Sequence, residues 1–359
     1  MTEPGIADRL GAAAMSMMCA LPERVQIALS GGKPIVIDGH ALAPELQLLL
    51  AANEKRGQLV LTTPAELRKQ QSDSARLVAG RLTRVGAVRD LDIDGGAGTL
   101  RARHYAPERR DGAPRAPLLV FFHGGGFVFG DLDTHDAPCR VLCQHGGMHV
   151  LAVDYRLAPE HPFPAAVEDA LAAFRWAQAH AAELGADPAR VGVGGDSAGA
   201  NLSAVVSQLS IAGGGIGPAC QMLVYPAVDR TKEYRSIELF AEGFFLTSGS
   251  IDWFTRQYSG PPGPHLFDPR HGPLHAASHA GLAPALVVTA GFDPLRDEGA
   301  AYADALLAAG TITVPRCFHG LIHGFFNMVG VSPACRDAVI EIAGATRALF
   351  AIKHGATPS

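Results

Sequence analysis

From Leu118 onward the chain alternates short apolar runs with longer mixed ones, and this alternation limits the fold more than any other feature. Leu118–Phe122 is apolar at every position, as a strand buried on both faces should be. Residues 137–145 then read as a helix, 150–153 as a strand and 164–184 as a long alanine-rich helix. Strands follow at 190–193, 221–225, 285–290 and 311–317, with helices at Ala198–Ala212, 298–309 and 338–353. Repeated β-α-β units with right-handed crossovers imply an α/β protein with a mostly parallel central sheet flanked by helices. In such sheets the chemistry gathers in the loops beyond the carboxyl ends of the strands.

The flanking regions have a different texture. Up to about residue 84 the chain reads as helical: 43–56 is rich in Leu and Ala. Thr63-Pro64-Ala65-Glu66 has the form of a helix start, with Thr63 as cap, Pro64 in the first position and Glu66 in the third. Residues 88–93 alternate like a half-buried strand, with 100–105 as hairpin partner across a turn at 94–98. The segment 229–266 breaks the alternation, carries Phe240, Phe244, Phe245, Trp253, Phe254 and Tyr258 among turn residues, and ends in Pro261-Pro262-Gly263-Pro264. Four stretches result: a helical cap at 1–85, a first part of the core at 86–228, an excursion at 229–266 and a second part of the core at 267–359. Cap and excursion are expected to cover the site.

Composition narrows the class. With 359 residues, 48% hydrophobic and 18% charged, the chain has a globular profile, and its 41 glycines and 25 prolines follow no period. A formal net charge of −5 gives no basic surface for nucleic acid or an anionic membrane. The six cysteines form no Cys-x-x-Cys pair, which favours reduced thiols over a disulfide scaffold. The apolar run 10–21 has the length of a signal core, but Glu3 and Asp8 stand where positive charge belongs. No stretch reaches the roughly 18 apolar residues of a membrane span. A soluble, cytoplasmic protein without stable membrane insertion is expected.

Four motifs fall at expected strand ends. Gly195-Asp196-Ser197-Ala198-Gly199 follows the strand at 190–193 and opens a helix. A serine there sits on a sharp, strained turn that projects its hydroxyl into the cleft, and small neighbours let helix and strand pass closely. His123-Gly124-Gly125-Gly126 directly follows Leu118–Phe122. Acyl transfer puts negative charge on a carbonyl oxygen, and fixed backbone N–H groups stabilise it without reorganising. Gly124 and Gly125 are the expected donors, joined by Ala198 at a helix N-terminus, with Gly126 as the alternative. His123 is read as bracing the loop. Asp293 follows the strand at 285–290, and His323 lies beyond the strand at 311–317 between flexible neighbours. The order Ser, Asp, His suits a triad in which His323 is the base and Asp293 orients it. Four residues away, His319 and Asp297 are the rivals; Asp297 suits the first turn of the next helix. Phe127, Val128 and Phe129, with Phe244 and Phe245, are candidates for the substrate pocket.

On these residues the chain closely resembles the bacterial hormone-sensitive-lipase-like esterases. The likeness runs from about Asp90 to the C-terminus. It rests on His123-Gly124-Gly125-Gly126-Phe127, Asp154-Tyr155-Arg156-Leu157-Ala158-Pro159-Glu160, the pentapeptide around Ser197, Asp293-Pro294-Leu295 and His323-Gly324-Phe325, in order and at the usual spacing. The first 85 residues match only as a helical cap. With Asp196 before the nucleophile, the chain resembles the larger subgroup, whose acid is the Asp of Asp-Pro-Leu. The resemblance implies an α/β-hydrolase fold, a serine carboxylesterase acting on short- to medium-chain acyl esters, and no metal or organic cofactor. Asp154, Arg156 and Glu160 are implied to be structural charges, and a homodimer through the sheet edge is implied as well.

Two other classes share these features. Plant gibberellin receptors share the fold but lack the histidine, which this chain keeps as His323. An amidase or a long-chain lipase would use the same triad, and only substrate preference separates them. His271, His275 and His279 recur every four residues, but Gly272-Pro273 breaks the helix a metal site would need.

Overall fold

In a computed structural model that describes residues 6–56, 63–108 and 112–352, the alternation becomes an eight-stranded sheet. The N-terminal region forms α1 (Ile6–Cys19), α2 (Glu23–Leu29), the short strands β1 (Val36–Ile37) and β2 (His40–Ala41), α3 (Pro44–Arg56) and α4 (Pro64–Val78). The hairpin β3 (Ala87–Gly95) and β4 (Gly98–Ala106) leads into β5 (Leu118–Phe122), α5 (Asp136–Gly146), β6 (His149–Val153) and α6 (Ala165–His180). Then come β7 (Val191–Asp196), α7 (Ala198–Ala212), β8 (Gln221–Val224), α8 (Arg235–Leu239) and α9 (Ser248–Ser259). The chain closes with β9 (Ala285–Phe292), α10 (Arg296–Ala308), β10 (Thr313–Ile322) and α11 (Pro333–Leu349).

The strand order is β10-β9-β8-β7-β5-β6-β4-β3. The six strands from β10 to β6 run parallel, while β4 joins β6 and β3 joins β4 antiparallel. Burial on both faces explains the unbroken apolar runs. In β5, Leu119 and Phe121 face the core under α5 and α11, while Leu118, Val120 and Phe122 face the core under α6 and α7. The chain steps from β5 to β6, then back across β5 to β7. The sheet therefore reverses direction between β5 and β7, the place where ligands bind in sheets of this kind.

Several elements differ from the reading of the sequence. The N-terminal region is not purely helical: Asp38 and Gly39 both have positive φ and close the β1–β2 hairpin. An Asp-Gly pair is the usual signal for such a two-residue turn. Strand β10 continues past Cys317 to Ile322 and tolerates Pro315 because it lies at the sheet edge. Helix α11 starts at Pro333, ahead of residue 338, because Ser332 Oγ accepts the Cys335 N–H at 3.1 Å. Its expected end at Lys353 lies outside the described residues. The excursion, read as irregular, holds α8 and α9, the latter capped by Thr247 on Ser250 N–H at 3.1 Å. The cap of α4 is as read, with Thr63 Oγ1 accepting from Glu66 N–H at 3.3 Å. No helix among the described residues is long and apolar enough to cross a membrane.

Between β4 and β6 lies a buried pair, His104 Nε2 and His149 Nδ1 at 2.9 Å. Burial pushes both imidazoles down to about 4, helped by the charge of Arg89 and, for His104, by His149. The unfolded chain takes up protons below about 6.5 while the folded pair resists them until about 4. Stability contributed by the pair is thus present above pH 6.5 and lost as pH falls towards 4. The buried Glu298 carboxyl, pushed up to about 8 by burial, acts in the opposite sense over the upper part of that range. The melting temperature should fall by at least about 5 °C from pH 6.5 to 4. The slope should become shallower in His104→Asn; an identical slope in that variant would contradict this origin.

Candidate active site

The site is built where β5 and β7 end side by side, with Phe122 paired to Gly195. Ser197 follows β7 at φ +55 and ψ −117 and opens α7. A left-handed serine costs on the order of 1–3 kcal/mol, which the surroundings must offset. They do so by anchoring the Ser197 N–H on the Val224 carbonyl at 2.8 Å. They also pack the turn so tightly that a Cβ on Gly199 would land on the Phe122 carbonyl. The small residues around Ser197 are therefore a packing requirement.

Asp293 stands one residue past β9, fully buried, and His323 one residue past β10. His323 Nε2 lies 3.1 Å from Ser197 Oγ, and its Nδ1 lies 2.8 Å from Asp293 Oδ2. A carboxylate only accepts, so Nδ1 carries the proton and Nε2 is left to accept from the serine. The other oxygen of Asp293 takes the Leu295 N–H at 2.8 Å, which fixes the carboxyl plane. The Tyr225 ring, 4.4 Å from the His323 ring, supports the imidazole from the side. The rivals lie elsewhere. His319 stacks on His40 at 3.9 Å, and Asp297 accepts the Ser236 N–H at 2.9 Å and pairs with Arg296.

The glycine loop corrects one expectation. The Gly124 N–H is already donated to Asp196 Oδ1 at 2.9 Å, so it is not free to receive an oxyanion. The N–H groups of Gly125, Gly126 and Ala198 have no acceptor among the described residues, and all three residues line the cavity over Ser197. Gly125 at φ +120 and Gly126 at φ +60 hold this exposed turn, and a Cβ on Gly125 would strike the Phe129 carbonyl. His123 braces the loop as read: its Nδ1 meets the Gly124 carbonyl at 2.8 Å, and its ring stacks on Tyr155 at 4.3 Å.

Behind the loop lies a network the sequence reading did not find. Asp196 is buried, and burial alone would raise its carboxyl. The His135 imidazole at 3.2 Å and the Gly124 N–H outweigh that and hold it below the usual carboxylate range. Tyr225 OH donates to its second oxygen at 3.2 Å. The other ring nitrogen of His135, Nδ1, reaches Thr134 Oγ1 at 3.0 Å. No local pattern marks His135 or Tyr225, because their partners lie tens of residues away.

The cavity over Ser197 has a volume of about 740 Å³. Its walls come from the glycine loop, the excursion and the N-terminal helices, as a cover was expected to provide. Phe127 and Phe129 line it, with Phe127 stacked on Tyr258 at 3.8 Å. Val128 does not: it is wholly buried in the core under α6 and α7, because the turn points its side chain inward. Phe244 and Phe245 both line the cavity but differ in kind. Phe244 packs on Phe240 and Phe292, whereas Phe245, at φ +76, is exposed and leans over Gly324 beside His323.

The remaining motif residues brace loops. Arg156 grips the buried Asp169 at 2.8 and 2.9 Å, and Glu160 pairs with Arg68 at 2.6 Å. Asp154 is half-buried and raised by that burial. The three histidines diverge. His275 turns to Asp229 at 3.0 Å and His271 to Ser259 at 3.1 Å, while the His279 carbonyl accepts from Thr311. Among the described residues no group of His, Cys, Asp and Glu gathers as a metal site.

Comparison with known proteins agrees with this geometry. The model of the alpha/beta hydrolase fold family matches residues 119–327. The chain is 46% identical to the carboxylic ester hydrolase LipN of Mycobacterium tuberculosis, over 96% of this chain and 97% of LipN. It is 36% identical to an ethyl acetate hydrolase of Pseudomonas putida, over 77% of this chain and 87% of that protein. Among solved structures, the ester-hydrolase EH1AB1 from the metagenome of Lake Arreo superposes with a TM-score of 0.82 at 42% identity, covering 87% of this chain and all of that one. With its sheet, its cap and its ordered motifs, the chain belongs to the hormone-sensitive-lipase-like esterases of the α/β-hydrolase fold.

Proposed function

We propose that the protein is a serine carboxylesterase that cleaves short- to medium-chain acyl esters through an acyl-enzyme on Ser197. The observation that carries this reading is the continuous relay from Ser197 Oγ to His323 at 3.1 Å and from His323 to Asp293 at 2.8 Å. The relay opens into a cavity that also presents three unengaged N–H groups.

In the first half-reaction Ser197 Oγ attacks the ester carbonyl carbon while His323 Nε2 takes its proton. The carbonyl π pair moves to oxygen, and the oxyanion sits against the N–H groups of Gly125, Gly126 and Ala198. Asp293 holds the imidazolium through Nδ1. The intermediate collapses, the bond to the alcohol oxygen breaks, and His323 returns the proton to the leaving alkoxide. Water then repeats the sequence on the acyl-enzyme and releases the acid. Every proton travels through one histidine nitrogen. Six unpaired cysteines, five of them buried, support a cytoplasmic setting. The exposed edge strand β10 supports pairing of two copies.

Replacing Ser197 with Ala should cost at least about a thousandfold in kcat/KM on p-nitrophenyl butyrate. Retained hydrolysis would remove the nucleophile and favour a binding protein. On a panel of p-nitrophenyl esters the rate should peak below about ten acyl carbons, with matched anilides far slower; a peak at ten or more would mark a lipase. Gly125→Ala should lower kcat by about a hundredfold or more, because a Cβ at φ +120 strikes the Phe129 carbonyl and pushes the Gly125 N–H away from the oxyanion, and the melting temperature should fall with it. A normal rate in that variant would move the oxyanion site elsewhere.

A further inference from the structure

The glycine loop is held from inside and from outside. Inside, the Val128 and Phe129 N–H groups both donate to the Gly125 carbonyl at 3.0 Å, and the Ala158 N–H donates to the Phe127 carbonyl at 2.9 Å. Two carbonyls are left over, those of Val128 and Ala158, on residues with essentially no exposure. Among the described residues only one side chain meets them. Arg68 of α4 donates from Nε to the Val128 carbonyl at 2.8 Å and from Nη2 to the Ala158 carbonyl at 2.9 Å. The outer edge of the same guanidinium grips Glu160 in a fork, at 2.9 Å from Nη1 and 2.6 Å from Nη2.

We propose that Arg68 is a positioning residue for the oxyanion hole. Through it the N-terminal cap holds the Gly125–Gly126 turn in its receiving conformation. The proposal rests on the esterase reading and adds a role for the cap beyond walling the cavity. An exposed ion pair between Arg68 and Glu160 would by itself contribute little. The fork matters because it fixes the guanidinium plane, so that two further N–H bonds point at two buried carbonyls from separate loops. Without Arg68 those carbonyls are desolvated and unpaired, and the cheapest relief is for the turn to rotate its carbonyls towards water. Rotating the Val128 carbonyl turns the Phe129 N–H of the same peptide plane away from the Gly125 carbonyl, and that carbonyl shares its own plane with the Gly126 N–H of the hole. Arg68 touches no reacting atom. The next turn of its helix, at Gln71, faces the cavity, so one rigid element both walls the substrate and locks the hole.

The test compares wild type, Arg68→Met and Arg68→Lys on p-nitrophenyl acetate, a substrate too small to lean on the cap. Arg68→Met should lose about tenfold or more in kcat with KM within about threefold, because the hole acts on the transition state. Arg68→Lys, which reaches one acceptor at a time, should lose about threefold or more, and it carries the test if Arg68→Met does not fold. A rise in KM alone, or kcat within twofold of wild type, would overturn the proposal and leave Arg68 as a fastener of the cap. Amide hydrogen exchange supplies a readout independent of turnover. Peptides covering 124–130 should exchange faster in either variant; unchanged exchange would sink the positioning role whether or not the wild type proves to be an esterase.

Discussion

The loops that flank the nucleophile turn are referred to one buried carboxylate. Asp196 lies beside the nucleophile with almost no exposure, and a carboxylate in that position is costly unless its lone pairs are filled. It is filled by the Gly124 N–H after β5, the His135 imidazole before α5 and the Tyr225 hydroxyl after β8. Gly124 and His135 stand at the two ends of the β5–α5 loop and Tyr225 in the loop after β8, so satisfying one charge sets two loops against the turn that carries Ser197. Tyr225 passes the registration to the His323 ring. The Ser–His spacing is thus the end of a chain of contacts that starts one residue before the nucleophile.

The same constraint separates chemistry from enclosure. All the groups proposed to act on the ester come from loops at the carboxyl ends of β5, β7, β9 and β10. The cavity walls come mainly from α3, α4 and the excursion that holds α9, segments far apart in the chain. A nucleophile on a glycine-lined turn has no freedom to adapt to different esters. The covering helices, with their mixture of aromatic and amide side chains, have that freedom.

How much of this was legible in the sequence depended on the range of the forces involved. The parallel sheet was readable because burial on both faces leaves unbroken apolar runs such as Leu118–Phe122. Ser197, Asp293 and His323 were readable because a functional residue at a strand end keeps a local signature of small or turn-forming neighbours. The choice between Gly124 and Gly126 was not. Three successive glycines look alike, and what distinguishes them is Asp196, which accepts from one across 72 residues. Val128 was not legible either: three successive apolar residues read as one wall, and only the turn, with positive φ at Phe127, sends the Val128 side chain to the core. The β1–β2 hairpin did carry a local signal in Asp38-Gly39, hidden by the helical composition around it.

The sheet order places the two ends of the proton relay on unequal footings. Ser197 rides on β7, with a strand on either side, whereas His323 rides on β10, which is paired only with β9 and is largely exposed. Edge segments open at lower free energy than central ones. On warming, the margin of the sheet therefore loosens while its centre is intact. The first casualty is the imidazole, withdrawn from a serine that has not moved. Such a molecule would keep its helices, its core and its nucleophile and still be idle, so that inactivation runs ahead of unfolding.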